Sequence, residues 1–261
     1  MLRCWEGLGY YRRARQLHAA AKAVVSEHGG RFPRTVAGLR SLPGVGRYTA
    51  AAIASIAFDV PAPIVEANSR RVIARLAGHD RPVGGAGDEP IWALAARLVP
   101  AARPGRFNQA LMDLGATICT AARPACGRCP VAGSCAARRQ DRVAVIPVLP
   151  APASIRRLRE TALVVRHGGR VLVERRGPGD WWEGLWDFPR AGPDVPAGGR
   201  RLATIVYSVT NHRVTCAVVD VRPRKPPSAA AGQRWVATRT LAGMAMTAPG
   251  RRIASLATAA R

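Results

Sequence analysis

Apolar residues recur at helical spacing through the first half of the chain and crowd into short strand-like runs through the second. Residues 1–28 predict a helix with Leu8, Leu17, Ala21 and Val24 on one stripe, stopped by Gly29-Gly30. Residues 36–42 predict a short helix, Pro43-Gly44-Val45-Gly46 a tight turn, and 47–58 an alanine-rich helix. Helices are also expected over 68–76, 90–98 and 106–120, with no strand before residue 140. The texture then changes. Residues 146–153 are proline-rich and cannot continue a helix. Strands are expected over 161–166, 170–175, 203–209 and 214–221, with Gly168-Gly169 as a hairpin signal. The expected division is a helical domain over 1–142, a linker over 143–158 and a smaller α/β domain over 159–261.

Charge narrows the field. Forty basic against sixteen acidic residues give a formal net charge of +24. Residues 1–150 carry 21 basic and 9 acidic groups, and residues 151–261 carry 19 and 7, so neither half is merely a basic tail. Such a balance points to an anionic partner, most simply nucleic acid. Arginine supplies nearly all of it, since Lys22 and Lys225 are the only lysines, and a GC-rich genome would have the same effect. No stretch is long and apolar enough to span a bilayer, and the first residues do not read as a signal peptide. A cytoplasmic chain is expected, with its thiols reduced.

Two local patterns carry chemistry. Cys119, Cys126, Cys129 and Cys135 follow C-x6-C-x2-C-x5-C, and Pro124, Gly127, Pro130 and Gly133 between them let the backbone wrap tightly. Four thiolates satisfy tetrahedral zinc as well as an iron–sulfur centre. Zinc ribbons usually carry two C-x2-C pairs and this run has one, which favours iron–sulfur. Cys4 and Cys216 lie outside the pattern and are expected to be buried thiols. The second pattern is the turn Gly44-Val45-Gly46-Arg47-Tyr48-Thr49. Its glycines allow close approach to a phosphate, and the amides opening the next helix can grip it without reading sequence.

In this order and separation the two patterns resemble the iron–sulfur DNA glycosylases of the endonuclease III superfamily. Trp5-Glu6-Gly7-Leu8-Gly9-Tyr10-Tyr11, Arg106-Phe107-Asn108-Gln109-Ala110-Leu111-Met112-Asp113-Leu114-Gly115-Ala116 and Trp182-Glu183-Gly184-Leu185-Trp186-Asp187-Phe188-Pro189 are similar to the adenine DNA glycosylase (MutY) branch. The resemblance implies a mainly α helix-hairpin-helix glycosylase domain with an iron–sulfur knot over 119–135, followed by an α/β Nudix-like domain. It implies a [4Fe–4S] cluster on the four cysteines. The implied partner is duplex DNA with adenine opposite 8-oxoguanine, bound by a monomer beside a bacterial nucleoid. The implied reaction flips the adenine out of the stack and hydrolyses its N-glycosidic bond. An acid protonates the base while a carboxylate stabilises the oxocarbenium-like sugar.

The match departs from the family at the chemistry. Its catalytic glutamate sits on a helix preceding the Leu-Gly-Tyr-Tyr stretch, and Met1 stands only four residues before Trp5. That segment is expected to lie outside this chain, either because Met1 is a misassigned start or because the chain is a catalytically impaired DNA-binding remnant. Loss of the segment also predicts exposed apolar surface and poor solubility. Glu6 is read as a solvated helix residue. The second carboxylate maps to Glu66, where the family has aspartate, with a helix-start residue favoured by the helix dipole as the alternative, and Asn68 maps to the asparagine that orients it. The extra methylene shifts the oxygens by about 1 Å, and such a misplacement can cost roughly a hundredfold in rate. Bifunctional relatives place a lysine where this chain has Tyr48, so no Schiff-base lyase step is expected. Tyr10 maps to a tyrosine wedged into DNA, with a core tyrosine as the alternative, and Asp113 is read as a structural cap. In the Nudix-like domain the stretch after Pro189 has no paired glutamates to hold Mg²⁺, so it is expected to read a lesion without hydrolysing nucleotides. The lesion contacts are expected at Thr210, Asn211 and His212, with a plain surface residue as the equal alternative for His212.

Overall fold

The computed structural model describes residues 1–151, 153–193 and 198–259. Residue 152 of the expected linker, residues 194–197 after Pro189 and the last two residues lie outside the described residues. Contacts divide the chain into two compact units, Leu17–Pro152 and Met1–Gln16 with Ala153–Arg261.

The first unit is helical. It contains most of α1 (Tyr11–His28), then α2 (Val36–Arg40), α3 (Arg47–Phe58), α4 (Ala67–Ala77), α5 (Glu89–Leu98), α6 (Pro104–Asp113) and α7 (Ala136–Arg139). One apolar cluster joins Ala20, Ala23 and Val24 of α1 to Leu39, Ala50, Ala54 and Ile64. A second joins Ile73, Ile91, Trp92, Leu111 and Ile146. Small residues set the spacing. A Cβ on Gly105 would stand 2.5 Å from the Ser55 carbonyl oxygen, and one on Gly115 would stand 2.7 Å from Asn68 Cβ. The Gly-containing face of α6 and the turn after it is therefore pressed directly against α3 and the start of α4.

The second unit is a seven-stranded sheet with one helix. Its main path runs β3 (Trp186–Asp187), β2 (Arg170–Arg175), β1 (Arg156–His167), β6 (His212–Val221) and β5 (Arg200–Val209). β4 (Arg190–Ala191) pairs with β1, β7 (Gln233–Ala237) pairs with β2, and α8 (Ala248–Ala259) follows. β1 and β6 are parallel, from Arg156 opposite His212 to Val165 opposite Val221. Alternate residues Ala162, Val164, Cys216 and Val218 point inward onto Phe188, Met246 and Ile253. Cys216 is buried as expected, and burial together with nearby Glu160, against the opposing charge of Arg190, pushes its thiol up to about 12.

Several expectations are corrected. The first helix begins at Tyr11, because Gly7, Gly9 and Tyr10 take positive φ (90°, 69° and 47°) and fold residues 1–9 into turns. Its buried stripe is Ala14, Ala20, Ala23 and Val24, while Leu8, Leu17 and Ala21 face solvent. Residues 1–16 group with the C-terminal unit rather than the helical one, because Arg251 donates to Glu6 through Nε (2.7 Å) and Nη2 (3.1 Å). Glu6 is thus an ion-paired turn residue. Partial burial pushes its pKa up, but hydrogen bonds from Arg251 and Arg3 outweigh this and hold it below 4.5. The pair therefore stabilises at pH above that value and is lost as pH falls through the lowered one. Cys4 is exposed. The expected helix over 106–120 ends at Asp113 and continues as one π-helical turn, Leu114–Ile118. Asp113 is exposed and caps nothing with its side chain. The linker begins late: Ile146 is 1% exposed in the helical core, the Val148 carbonyl accepts from Val83 N at 3.0 Å, and β1 already starts at Arg156.

An open apolar groove in the helical unit is lined by Ile73, Leu76, Leu94, Leu98, Phe107 and Leu114. Exposed apolar surface of this kind promotes association. The isolated chain is expected to bind a hydrophobic dye there, and Leu98→Glu to weaken that signal severalfold; unchanged dye binding in the variant would place the exposed surface elsewhere. Gly105→Ala is expected to cost about 1–3 kcal/mol of stability by overpacking, read as a lowered urea midpoint, and an unshifted midpoint would contradict the close approach.

Candidate nucleic-acid interface and carboxylate site

The hairpin turn builds its site from backbone. Gly44 takes φ +77°, and Gly46, with no side chain to cap with, forms the N-cap of α3. Helix geometry leaves the first amides of α3, at Arg47, Tyr48 and Thr49, without intrahelical acceptors. Gly44, Gly46, Arg47 and Thr49 are exposed and Val45 half-buried, so these donors and the positive end of the helix dipole face a surface an anion can reach. The Arg47 side chain turns elsewhere. Its guanidinium lies 4.0 Å over the Trp92 ring and donates to Glu89 Oε1 at 2.5 Å.

Tyr48 faces inward from the same turn. Its hydroxyl donates to Met112 Sδ at 3.5 Å, and its pKa is raised by burial and then by the negative charge of Glu66. The negative charge of Glu66 is therefore felt at the hairpin's tyrosine. Glu66 is the N-cap of α4 in a capping box: Oε2 accepts from Asn68 N and Oε1 from Ser69 N, each at 2.8 Å, while Ser69 Oγ accepts from Glu66 N at 2.9 Å. Asn68 does not hydrogen-bond the carboxylate through its side chain. Its Oδ1 accepts from Arg71 Nη2 at 2.8 Å.

Arg71 and Arg75 are functional candidates that sequence reading missed. Arg71 also donates to the carbonyls of Cys119 (2.6 Å) and Gly115 (2.7 Å). Arg75, 2% exposed, donates to the carbonyls of Ile146 (2.8 Å) and Thr120 (2.8 Å) and to Cys119 Sγ (3.3 Å). Their spacing of four on one helix was the available signal, but it marks a shared face and not its acceptors.

The four knot cysteines carry free thiols. All four line one small cavity with Pro124, Ala132, Val143, Arg75 and Arg138, so the donor set converges on a space walled by apolar and cationic groups. Among the described residues no group of three or more His, Cys, Asp or Glu is drawn tightly enough for a single metal ion.

In the C-terminal unit Thr210 takes φ +51° in the two-residue turn joining β5 to β6. Its hydroxyl lies 3.2 Å from His212 Nδ1 and donates to the Val209 carbonyl at 2.7 Å. Asn211 Nδ2 donates to the Ser154 carbonyl at 3.3 Å, and the His212 ring packs 4.9 Å from Trp181. Thr210 is exposed; Asn211 and His212 are half-buried. Tyr10 is 83% exposed, which excludes the core role.

A helix-hairpin-helix motif model matches residues 27–56, and a NUDIX domain model matches residues 161–256. The adenine DNA glycosylase of Mus musculus is 43% identical over 205 residues, which are 77% of this chain and 39% of that protein. That of Homo sapiens is 52% identical over 139 residues, 52% of this chain and 25% of that protein. A solved endonuclease III–DNA complex is 28% identical and superposes at a TM-score of 0.43 over 52% of this chain and 61% of that one. The chain thus spans about two-fifths of the mouse relative and a quarter of the human one. With a helix-hairpin-helix segment followed by a NUDIX segment, and this identity to adenine DNA glycosylases across most of its length, the chain belongs to the adenine DNA glycosylase (MutY) family.

Proposed function

We propose that the chain works in base-excision repair, binding duplex DNA and removing adenine opposite 8-oxoguanine or guanine by hydrolysis of the N-glycosidic bond. The observation that carries this reading is the Glu66 carboxylate at the head of α4, whose negative charge is felt at Tyr48 of the hairpin turn. The hairpin amides hold a phosphate of the flipped strand, which sets the sugar near α4. Glu66, oriented by two backbone amides, then faces the positive charge that develops on the sugar as adenine leaves. Tyr10 wedges into the duplex, and Thr210, Asn211 and His212 meet the lesion. A monomer suffices for these contacts, and a cytoplasmic, nucleoid-bound location follows from the partner.

A second reading is a lesion-binding remnant with impaired turnover. It is favoured by the full use of both Glu66 oxygens as a helix cap. Single-turnover release of adenine from a duplex carrying 8-oxoguanine decides between them. Release that falls about a hundredfold or more in Glu66→Gln, with DNA affinity kept, supports the enzyme. Binding without release at any protein concentration supports the remnant.

Tyr48 offers no amine for a Schiff base, so the chain should hydrolyse without cleaving the strand. Borohydride reduction on abasic DNA is expected to trap no adduct, and a covalent protein–DNA band would refute this. The cavity lined by Cys119, Cys126, Cys129 and Cys135 fits a [4Fe–4S] cluster, with Arg75 donating to one ligand sulfur. When bound, the cluster would cross-link the segments of the knot. Serine at any of the four positions is expected to lower bound iron and acid-labile sulfide severalfold, whereas Cys4→Ser and Cys216→Ser should leave both unchanged. Equal iron in all six variants would rule the site out.

A further inference from the structure

The segment carrying Tyr10 is a preformed knuckle fastened at both ends to the C-terminal unit. Gly7, Gly9 and Tyr10 hold positive φ, Trp5 Nε1 donates to the Gly9 carbonyl at 3.0 Å, and the Tyr11 hydroxyl accepts from Gly7 N at 3.0 Å. Leu8 and Tyr10 project outward at 67% and 83% exposure. On one side of the knuckle, Glu6 receives both arms of Arg251, whose remaining donors go to the carbonyls of Leu241 (2.7 Å) and Met244 (2.5 Å). Arg3 bonds the same carboxylate at 2.7 Å and the Ala242 carbonyl at 3.0 Å. On the other side, Arg15 donates to the Glu183 carbonyl (2.6 Å) and to Glu183 Oε2 (3.1 Å). Glu183 belongs to the loop whose Trp181 packs on His212 of the β5–β6 turn and whose Trp182 lies 5.8 Å from Tyr207 of β5.

We propose that Glu6 and Arg251, with Arg15 and Glu183, are positioning residues that lock the Tyr10 knuckle and the Thr210–His212 turn into one rigid lesion-reading surface. Neither pair touches DNA in this role. Wedge and reader belong to one compact unit, so the duplex meets both in a fixed relation and the ordering cost is met before binding. A bidentate guanidinium–carboxylate contact suits this task, because its fork fixes orientation as well as distance. The inference rests on the proposed reading of Tyr10 and Thr210 as DNA contacts.

The test pairs two variants of opposite charge effect. Glu6→Gln removes a negative charge and Arg251→Met a positive one, so non-specific DNA affinity should move slightly in opposite directions. Both are nevertheless expected to lower the preference for an abasic-analogue duplex containing 8-oxoguanine over one containing guanine, by about tenfold. Both should also open the amides of residues 5–11 to hydrogen exchange in the free protein, while β1 and β6 stay protected. Preference and exchange both unchanged in the two variants would overturn the clamp. A change of preference that merely follows net charge, rising in one variant and falling in the other, would overturn it as well. A native chain with no preference for 8-oxoguanine would instead sink the functional reading, and the exchange result alone would then judge the clamp.

Discussion

Arg71 and Arg75 leave α4 one turn apart and end on the carbonyls that lead into the cysteine knot. A buried guanidinium has five donors, and each left unmet is costly. Here the acceptors are carbonyls freed by the π-helical turn and by the loop after it, at Gly115, Cys119 and Thr120, together with that of Ile146 in the segment after α7. Each side solves the other's problem: the arginines need acceptors, and the end of the helix needs donors. Gly115 allows this by letting the turn lie against Asn68 with no side chain between them. The result is a fixed relation between the thiol cavity and the helix whose first residue is Glu66. The eleven-residue helix thus carries both Glu66 at its start and the arginines that grip the knot, as one rigid element.

The two units divide the labour by the kind of group each presents. The helical unit offers backbone amides at Gly46–Thr49 and a carboxylate at a helix start, groups fixed by secondary structure and indifferent to base sequence. The C-terminal unit offers side chains on a tight turn and on a knuckle of positive-φ residues, the groups that the proposed function sets against the lesion. Its buried polar groups are paired with one another. Arg190 is bonded to Glu160, Asp187 and Cys216, Tyr207 donates to Glu160, and Thr247 donates to Asp187. Burial, together with Glu160 and against the opposing charge of Arg190, raises the pKa of Tyr207 and of Cys216.

Much of this was legible in the sequence where local chemistry decides. The helix over 47–58 and the strand over 170–175 have the bounds their turns dictate, with Gly46 before the one and Gly169 before the other. The knot spacing and the hairpin glycines marked both candidate sites. What stayed hidden depends on tertiary contact. Residues 1–9 look helical by periodicity, yet two glycines and Tyr10 at positive φ fold them into a knuckle. Pro147 suggested a free linker, but its neighbour Ile146 fills the helical core and accepts from Arg75. Glu66 could be placed by resemblance and as a helix-start residue, whereas the reciprocal bond from Ser69 that makes the capping box needed the structure.

Two arginines hold α4 in register with the knot, and this register fixes the Glu66 carboxylate. Amide hydrogen exchange at Asn68 and Ser69 reads that register directly, since both amides are bonded to Glu66. In the native chain both are predicted to exchange slowly, and in Arg71→Leu both should exchange at least about tenfold faster while the amides of α3 stay unchanged. Equal protection of Asn68 and Ser69 in the two proteins would show that the capping box stands alone and would contradict the account.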